Sequence, residues 1–257
     1  RSPSIGVYMK KRFLRLFPGL LVVLVLTVIY GAFVTEVSLS AYFSHYKTYL
    51  YIPANFSLYR LQDFLPGVFT SNPYSGAING SLWTLPYEFS CYLALILLFF
   101  IKERTNLLKF IVGGAVVLLF FAKLLFFEPI KAFDFVLAGQ YILEFGGYFA
   151  MGSLLAVFNI NQIEKKGILA LLSLVTIAAL IYFSQLHTFS FIILPLFIVS
   201  LGLINTPYIS NISKYIGDLS YGIYIYAFPV QQSLIYFGVK EPVPLMILAS
   251  PERSLRI

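Results

Sequence analysis

Cysteine, histidine and charged residues are all scarce in this 257-residue sequence, and each scarcity excludes something. The single cysteine, Cys91, excludes an internal disulfide and a cysteine-based metal site. Charged residues make up 11% of the chain and hydrophobic residues 59%, which excludes an ordinary soluble domain. The net charge of +7 is divided into short clusters between apolar runs, so it does not indicate a nucleic-acid-binding face. Together these features favour a membrane protein.

Long apolar runs account for most of the chain. A helix needs about 20 such residues to cross a bilayer, and the runs lack the period-two alternation of strands. The predicted fold class is therefore all-α, a polytopic transmembrane helix bundle with about seven complete spans and a partial eighth. The predicted spans are 16–35, 82–101, 110–127, 140–158, two within 167–205 that separate at 184–188, 215–239, and the partial span 242–250.

The distribution of Lys and Arg gives the predicted orientation. Thirteen of the 18 fall on the side of the N-terminal segment and four on the other side, with Lys123 inside a span. Cytoplasmic loops carry such an excess of positive charge, so the N-terminal segment is predicted to be cytoplasmic. The long outer loop, 36–80, suits short amphipathic helices. Because the sequence starts at Arg1 and ends after an incomplete apolar run, we expect residues 1–257 to be a single membrane domain whose N-terminal helices and C-terminal end are missing.

One carboxylate, Glu88, lies within a long uncharged stretch. No other charged residue occurs between Asp63 and Lys102. A carboxylate near the centre of a membrane helix costs about 2.5 kcal/mol or more, and such residues usually face the interior of a bundle. Glu88 is either a structural acid paired with a neighbouring helix or a functional group that accepts a proton or a hydrogen bond from a substrate hydroxyl.

Two arginines precede the first span. Arg12 and Arg15 are three residues apart, so they share one face of a helix at the predicted cytoplasmic surface. They either anchor the helix to lipid phosphate or bind the phosphates of a nucleotide-like cofactor, for which the guanidinium fork is suited.

Aromatic and hydroxyl side chains form a second group of candidates. Trp83, the single tryptophan, is either an interfacial belt residue or a surface on which a sugar ring stacks. Ser220, Tyr221 and Tyr224 lie on one side of the last complete span. They either form interhelical hydrogen bonds or line a polar pocket.

Four segments in this order resemble the acyltransferase-3 family, and the resemblance extends from residue 10 to residue 232. They are KKRFLRLFPGLLVVLVL (10–26), NGSLWTLPYEFSCYLALILL (79–98), YFAMGSLLAV (148–157) and YIGDLSYGIYIYAFPVQQ (215–232). Members of this family are polytopic membrane enzymes that O-acylate, usually O-acetylate, cell-surface glycans. The resemblance implies that the donor is acyl-coenzyme A, with acetyl the expected group, and that the acceptor is a cell-surface or lipid-linked saccharide.

The resemblance also implies roles for the candidate residues. Arg12 and Arg15 would bind the acyl-coenzyme A, Glu88 would be catalytic, and the acceptor side would be lined by Trp83, Ser220, Tyr221 and Tyr224. No permanently bound cofactor and no metal are expected. The expected partners are acyl-coenzyme A, a saccharide and membrane lipid, without nucleic acid, and the expected location is the bacterial inner membrane.

Histidine is where the sequence departs from the family pattern. Acyl transfer to a hydroxyl needs a base, most often His, and the family's catalytic His lies in a helix that would precede Arg1. His45 and His187 both fall in predicted outer loops as solvated side chains, so we expect this fragment to be inactive alone. The alternative function is a transporter or flippase that moves a lipid-linked glycan without chemistry. Transfer of labelled acetyl to a glycan separates the two.

Overall fold

The computed structural model describes residues 4–133, 136–204 and 219–239, which are helical and contain no named strand. The helices are α1 (Ile5–Val34), α2 (Leu39–Ser44), α3 (Tyr46–Phe56), α4 (Leu85–Phe99), α5 (Thr105–Lys131), α6 (Gly139–Val157), α7 (Lys166–Tyr182), α8 (Leu186–Gly202) and α9 (Ser220–Tyr236). Two short 3-10 turns cover Gly80–Thr84 and Ile160–Gln162.

The predicted all-α fold class is confirmed. Within the described residues, α1, the stretch Gly80–Phe99 and α5 are each long and apolar enough to cross a membrane, and α7 and α8 are shorter apolar helices. The break between α7 and α8 falls at Ser184, whose φ of 56° interrupts the helix where the sequence predicted a separation. The number of spans stays a prediction, because the start of the seventh and the partial eighth lie outside the described residues.

Helix α1 begins at Ile5, eleven residues before the predicted span. The side chain of Ser4 caps it by accepting a hydrogen bond from the amide of Val7, at 3.3 Å. The basic segment is therefore one continuous helix with the apolar run, so Arg12 and Arg15 have fixed positions on its surface.

The chain divides into two compact units. The first contains the described residues up to Pro86 together with α9, and the second contains those from Tyr87 to residue 204. The prediction of a single domain is not tested by this division and stays a prediction.

In the second unit, α6 packs against both α5 and α8, and α7 packs against α8. Phe191 of α8 is fully buried at the centre of an apolar cluster. Its ring lies directly against Gly147, where an added Cβ would come within 2.7 Å of the Phe191 Cγ atom. A glycine is thus needed for α6 and α8 to approach this closely. Helix α5 is kinked at Phe126 (φ −126°, ψ 20°), because Pro129 lacks an amide hydrogen and clashes with the preceding turn.

In the first unit, α1 and α9 run side by side in the same direction. At the start of α9, the Tyr221 hydroxyl donates to the carbonyl of Leu16, in the first half of α1, at 2.9 Å. Near their ends, Tyr30 and Tyr236 both pack against the buried ring of Phe69, with centroid distances of 6.3 and 5.6 Å. Phe69 belongs to the outer loop, so this loop fills the space beside both helices.

The outer loop contains short helices in its first half, α2 and α3, as the sequence predicted, but its second half is irregular and only partly buried. A network of amide side chains ties this half to α9. Gln232 donates to the carbonyls of Tyr74 and Ala77 at 2.8 and 2.6 Å. Asn72 in turn donates to the side-chain and backbone oxygens of Gln232 at 3.0 and 2.9 Å. Backbone amide and carbonyl groups that are buried outside a helix or sheet need hydrogen-bond partners of this kind.

We expect Gln232→Leu to lower the free energy of unfolding by about 2 kcal/mol, because it leaves the carbonyls of Tyr74 and Ala77 without this donor and removes one of the two acceptors of the Asn72 amide. Gln232 is 2% exposed, so water cannot replace the lost bonds. Unfolding in mixed detergent micelles, followed by circular dichroism, measures the change. Ser233→Ala is the matched control, since within the described residues its hydroxyl bonds to its own helix, at the Pro229 carbonyl, 2.7 Å away. An equal loss in the two variants would contradict the role of the amide network.

Candidate functional site

The two arginines of α1 differ in their surroundings. Arg12 is half-buried, with its guanidinium carbon 5.2 Å from the ring centroid of Tyr8, whereas Arg15 is exposed. The carbonyl that accepts the Tyr221 hydroxyl belongs to Leu16, the residue after Arg15. The structure therefore brings the start of α9 next to the turn of α1 that carries Arg15.

The turn Gly80–Thr84 lies against α9 through Tyr224. The Tyr224 hydroxyl donates to the Ser81 carbonyl at 2.5 Å and also makes a short hydrogen bond with the Thr84 hydroxyl. Trp83, between these two residues, is 41% exposed. The structure thus brings together Trp83 and Tyr224, two of the predicted acceptor-side residues. A third, Ser220, is exposed at the first position of α9.

Glu88 lies in the first turn of α4 and is half-buried. Its Oε1 accepts a short hydrogen bond from the hydroxyl of Tyr92, one turn along the same helix. Tyr92 is itself held by an edge-to-face contact with Phe149 of α6, at a centroid distance of 5.9 Å. A carboxylate has about four acceptor positions, so a carboxylate oriented in this way keeps capacity for a further donor such as a substrate hydroxyl.

A charged cluster that the sequence did not reveal joins three helices of the second unit. Lys123 of α5 is buried, and its Nζ donates to the His187 carbonyl at 2.6 Å and lies 3.9 Å from Glu144 Oε1. The same oxygen lies 3.1 Å from His187 Nε2. Lys123 and Glu144 both lie within predicted spans, at 110–127 and 140–158. Nothing in the spacing of these residues along the chain signals the cluster.

The predicted environment of His187 is wrong in part. Its side chain is 65% exposed, as a solvated residue would be, but it lies in the first turn of α8 and bonds to Glu144. A small cavity of about 150 Å³ adjoins it, lined by Lys123, Leu124, Phe127, His187 and Thr188. His45 is exposed as predicted, and its Nδ1 caps α3 by accepting from the Lys47 amide at 3.2 Å.

Burial perturbs three acidic groups in the outer loop. It raises the pKa of Tyr42 to about 12. It also raises the pKa of Tyr51, to which the negative charge of Asp63 adds. Burial raises the pKa of Asp63 itself. The native state therefore holds the Asp63 proton to higher pH than the unfolded state does, and this residue's contribution to stability falls as pH rises between the two pKa values.

The roles predicted for individual residues stay predictions. Arg12, Arg15 and the acceptor-side residues belong to the first unit, and Glu88 belongs to the second. The structure adds that the hydroxyls of Tyr221 and Tyr224 are already bonded to backbone carbonyls, which gives both side chains a structural role in addition to the predicted one.

Comparison with known proteins identifies the family. The sequence profile of the acyltransferase-3 family, described as an acyltransferase domain, matches residues 1–250. An O-acetyl transferase of Shigella phage Sf6 is 29% identical over 254 residues, which cover 97% of this chain and 73% of that protein. No solved structure matches the chain. The apolar helices and the family indicate an integral membrane protein. The chain therefore belongs to the acyltransferase-3 family, and its enzymatic class is that of an O-acyltransferase.

Proposed function

We propose that the protein transfers an acetyl group from acetyl-coenzyme A to a hydroxyl of a cell-surface or lipid-linked saccharide, in the bacterial inner membrane. The observation that carries the proposal is the family match over nearly the whole chain, together with a relative whose name states O-acetyl transfer.

The donor is assigned to the start of α1. Arg12 and Arg15 supply two guanidiniums on one helix face, a geometry suited to the phosphates of coenzyme A. The exposure of Arg15 leaves it accessible to a ligand from water, and the ring of Tyr8 holds the half-buried Arg12 in place. Orientation by positive charge puts this end at the cytoplasm, where acetyl-coenzyme A is available.

The acceptor roles are assigned within each unit separately, to Glu88 in the second unit and to Trp83 in the first. Glu88 accepts a hydrogen bond or a proton from the saccharide hydroxyl, and the exposed face of Trp83 stacks on the sugar ring. Ser220, Tyr221 and Tyr224 belong to the same acceptor side, Ser220 as an exposed residue and the two tyrosines with hydroxyls that bond to backbone carbonyls.

The direct test is acetyl transfer by the purified full-length protein. With acetyl-coenzyme A labelled in the acetyl group and glycans extracted from bacterial membranes, label should appear on the glycan and be released by mild base, which cleaves esters. A transporter would move a lipid-linked glycan across proteoliposome membranes and leave it unlabelled, and that result would overturn the proposal.

The arginines provide a prediction about the donor. Because charge-assisted hydrogen bonds contribute about 1.5–3 kcal/mol each, Arg12→Ala and Arg15→Ala should each raise the KM for acetyl-coenzyme A roughly 10- to 100-fold. The KM for the glycan should stay unchanged. Arg104→Ala is the matched control, since Arg104 is an exposed arginine that belongs to another predicted cytoplasmic loop. An unchanged donor KM in both α1 variants would remove the coenzyme A assignment.

A further inference from the structure

The turn Gly80–Thr84 is attached to α9 at both of its ends. At its start, the side chain of Asn79 donates to the Ile225 carbonyl at 3.0 Å and accepts from the Ser81 amide at 3.2 Å. At its end, Thr84 bonds to Tyr224. In between, Gly80 lies so close to α9 that an added Cβ would be 2.8 Å from the ring of Phe228.

The Ile225 carbonyl is available to Asn79 because of a proline. In an α-helix this carbonyl would accept from the amide four residues later. That residue is Pro229, which has no amide hydrogen. The Asn79 side chain supplies the donor that the helix lacks, and Asn79 is 1% exposed, so water does not compete for the bond.

The Tyr224 hydroxyl both donates and accepts a hydrogen bond within this turn. A phenol has one hydrogen to donate, and the Ser81 carbonyl receives it. The Thr84 hydroxyl must therefore be the donor in its bond with Tyr224. The oxygen of Tyr224 thus joins a backbone atom and a side chain of the same turn.

These contacts determine how Trp83 is presented. Its neighbour Leu82 is buried at 1% exposure, whereas Trp83 is 41% exposed. Because residues 81 and 84 are both bonded to Tyr224, the backbone on either side of Trp83 is held against α9.

We propose that Tyr224 and Asn79 are positioning residues for the acceptor, acting through Trp83 by holding its indole in the orientation that receives a sugar ring. This inference rests on the proposed function. It assigns the Tyr224 hydroxyl to the turn and not to direct contact with the saccharide.

Trp83 is the single tryptophan of the chain, so its fluorescence reports on this turn without reference to activity. Tyr224→Phe should raise the acrylamide quenching constant of Trp83 about twofold, because the freed turn exposes the indole. Asn79→Ala should do the same. Tyr226→Phe is the control and should leave quenching unchanged. Tyr226 is on the same helix, and in the described part of the chain its side chain does not bond to residues 79–84. Unchanged quenching in Tyr224→Phe and Asn79→Ala would overturn the proposal, whether or not the protein transfers acetyl.

The kinetic test separates positioning from direct contact. Trp83→Ala and Tyr224→Phe should each raise the glycan KM up to about tenfold, the range expected for an aromatic stacking contact, with the KM for acetyl-coenzyme A unchanged. The double variant should be no worse than Trp83→Ala alone. Additive defects would show that Tyr224 contacts the acceptor itself and would overturn the inference, while leaving the proposed function intact.

Discussion

Replacing Glu88 with glutamine should lower kcat for acetyl transfer about 10²- to 10⁴-fold, the usual contribution of a general acid–base group. The amide keeps the size of the carboxylate and can still bond to Tyr92, but it cannot take a proton from the acceptor hydroxyl. Helix α4 should therefore stay folded while the reaction is lost. Steady-state transfer of labelled acetyl to glycan, at saturating donor, measures the change.

Two further variants test whether the loss of kcat is particular to the Glu88 carboxylate. Tyr92→Phe removes the hydroxyl that orients Glu88 and keeps the carboxylate, so its loss of kcat should be smaller. Glu103→Gln changes an acid that is 81% exposed after the end of α4 and should have no effect. If Glu88→Gln retained full kcat, the residue would be a structural acid, as the first alternative from the sequence has it.

The largest effect on stability is expected at the charged cluster of the second unit. Glu144→Gln should lower the free energy of unfolding by about 3 kcal/mol, because it leaves the buried Lys123 ammonium without its counter-charge. We place the loss at the low end of the range for buried pairs, since Glu144 is 27% exposed and partly screened. Unfolding in mixed micelles measures it.

A double substitution shows whether the stability loss in Glu144→Gln comes from the unpaired Lys123 ammonium or from lost packing. Lys123→Met with Glu144→Gln removes the ammonium as well and should recover most of the stability, because an apolar side chain of similar length fills the same space. His187→Ala should cost much less, because that side chain is 65% exposed. A double variant as unstable as Glu144→Gln would show that the loss comes from packing.

Hydropathy and charge predicted much of the fold because they report on the solvent around each segment. The apolar run of α5 and the break near Ser184 were both found this way. A helix that extends before the span was predicted through the shared face of Arg12 and Arg15. Its start at Ile5 was not predicted, because the extension carries basic residues and hydropathy does not mark it.

The hydrogen bonds between the Asn72 and Gln232 side chains could not be predicted from the sequence, for a different reason. Asn72 and Gln232 are 160 positions apart, and nothing local to either residue indicates its partner. The same holds for Lys123 and Glu144, which were visible as intramembrane charges but not as a pair. Motif resemblance identified candidate residues by type and position. It did not reveal that the Tyr224 hydroxyl is occupied by the Ser81 carbonyl.

Pro229 leaves the carbonyl oxygen of Ile225 without a donor from its own helix, so the side chain of Asn79 does not compete for it. A residue with an amide hydrogen at this position would let α9 close its own ladder, and the carbonyl of Ile225 would then be shared or withdrawn. The Ile225 carbonyl, which Pro229 leaves without a helical donor, therefore anchors Asn79, 146 positions earlier in the chain. A complete hydrogen-bond ladder in α9 would therefore weaken the attachment of residues 79–84 to this helix.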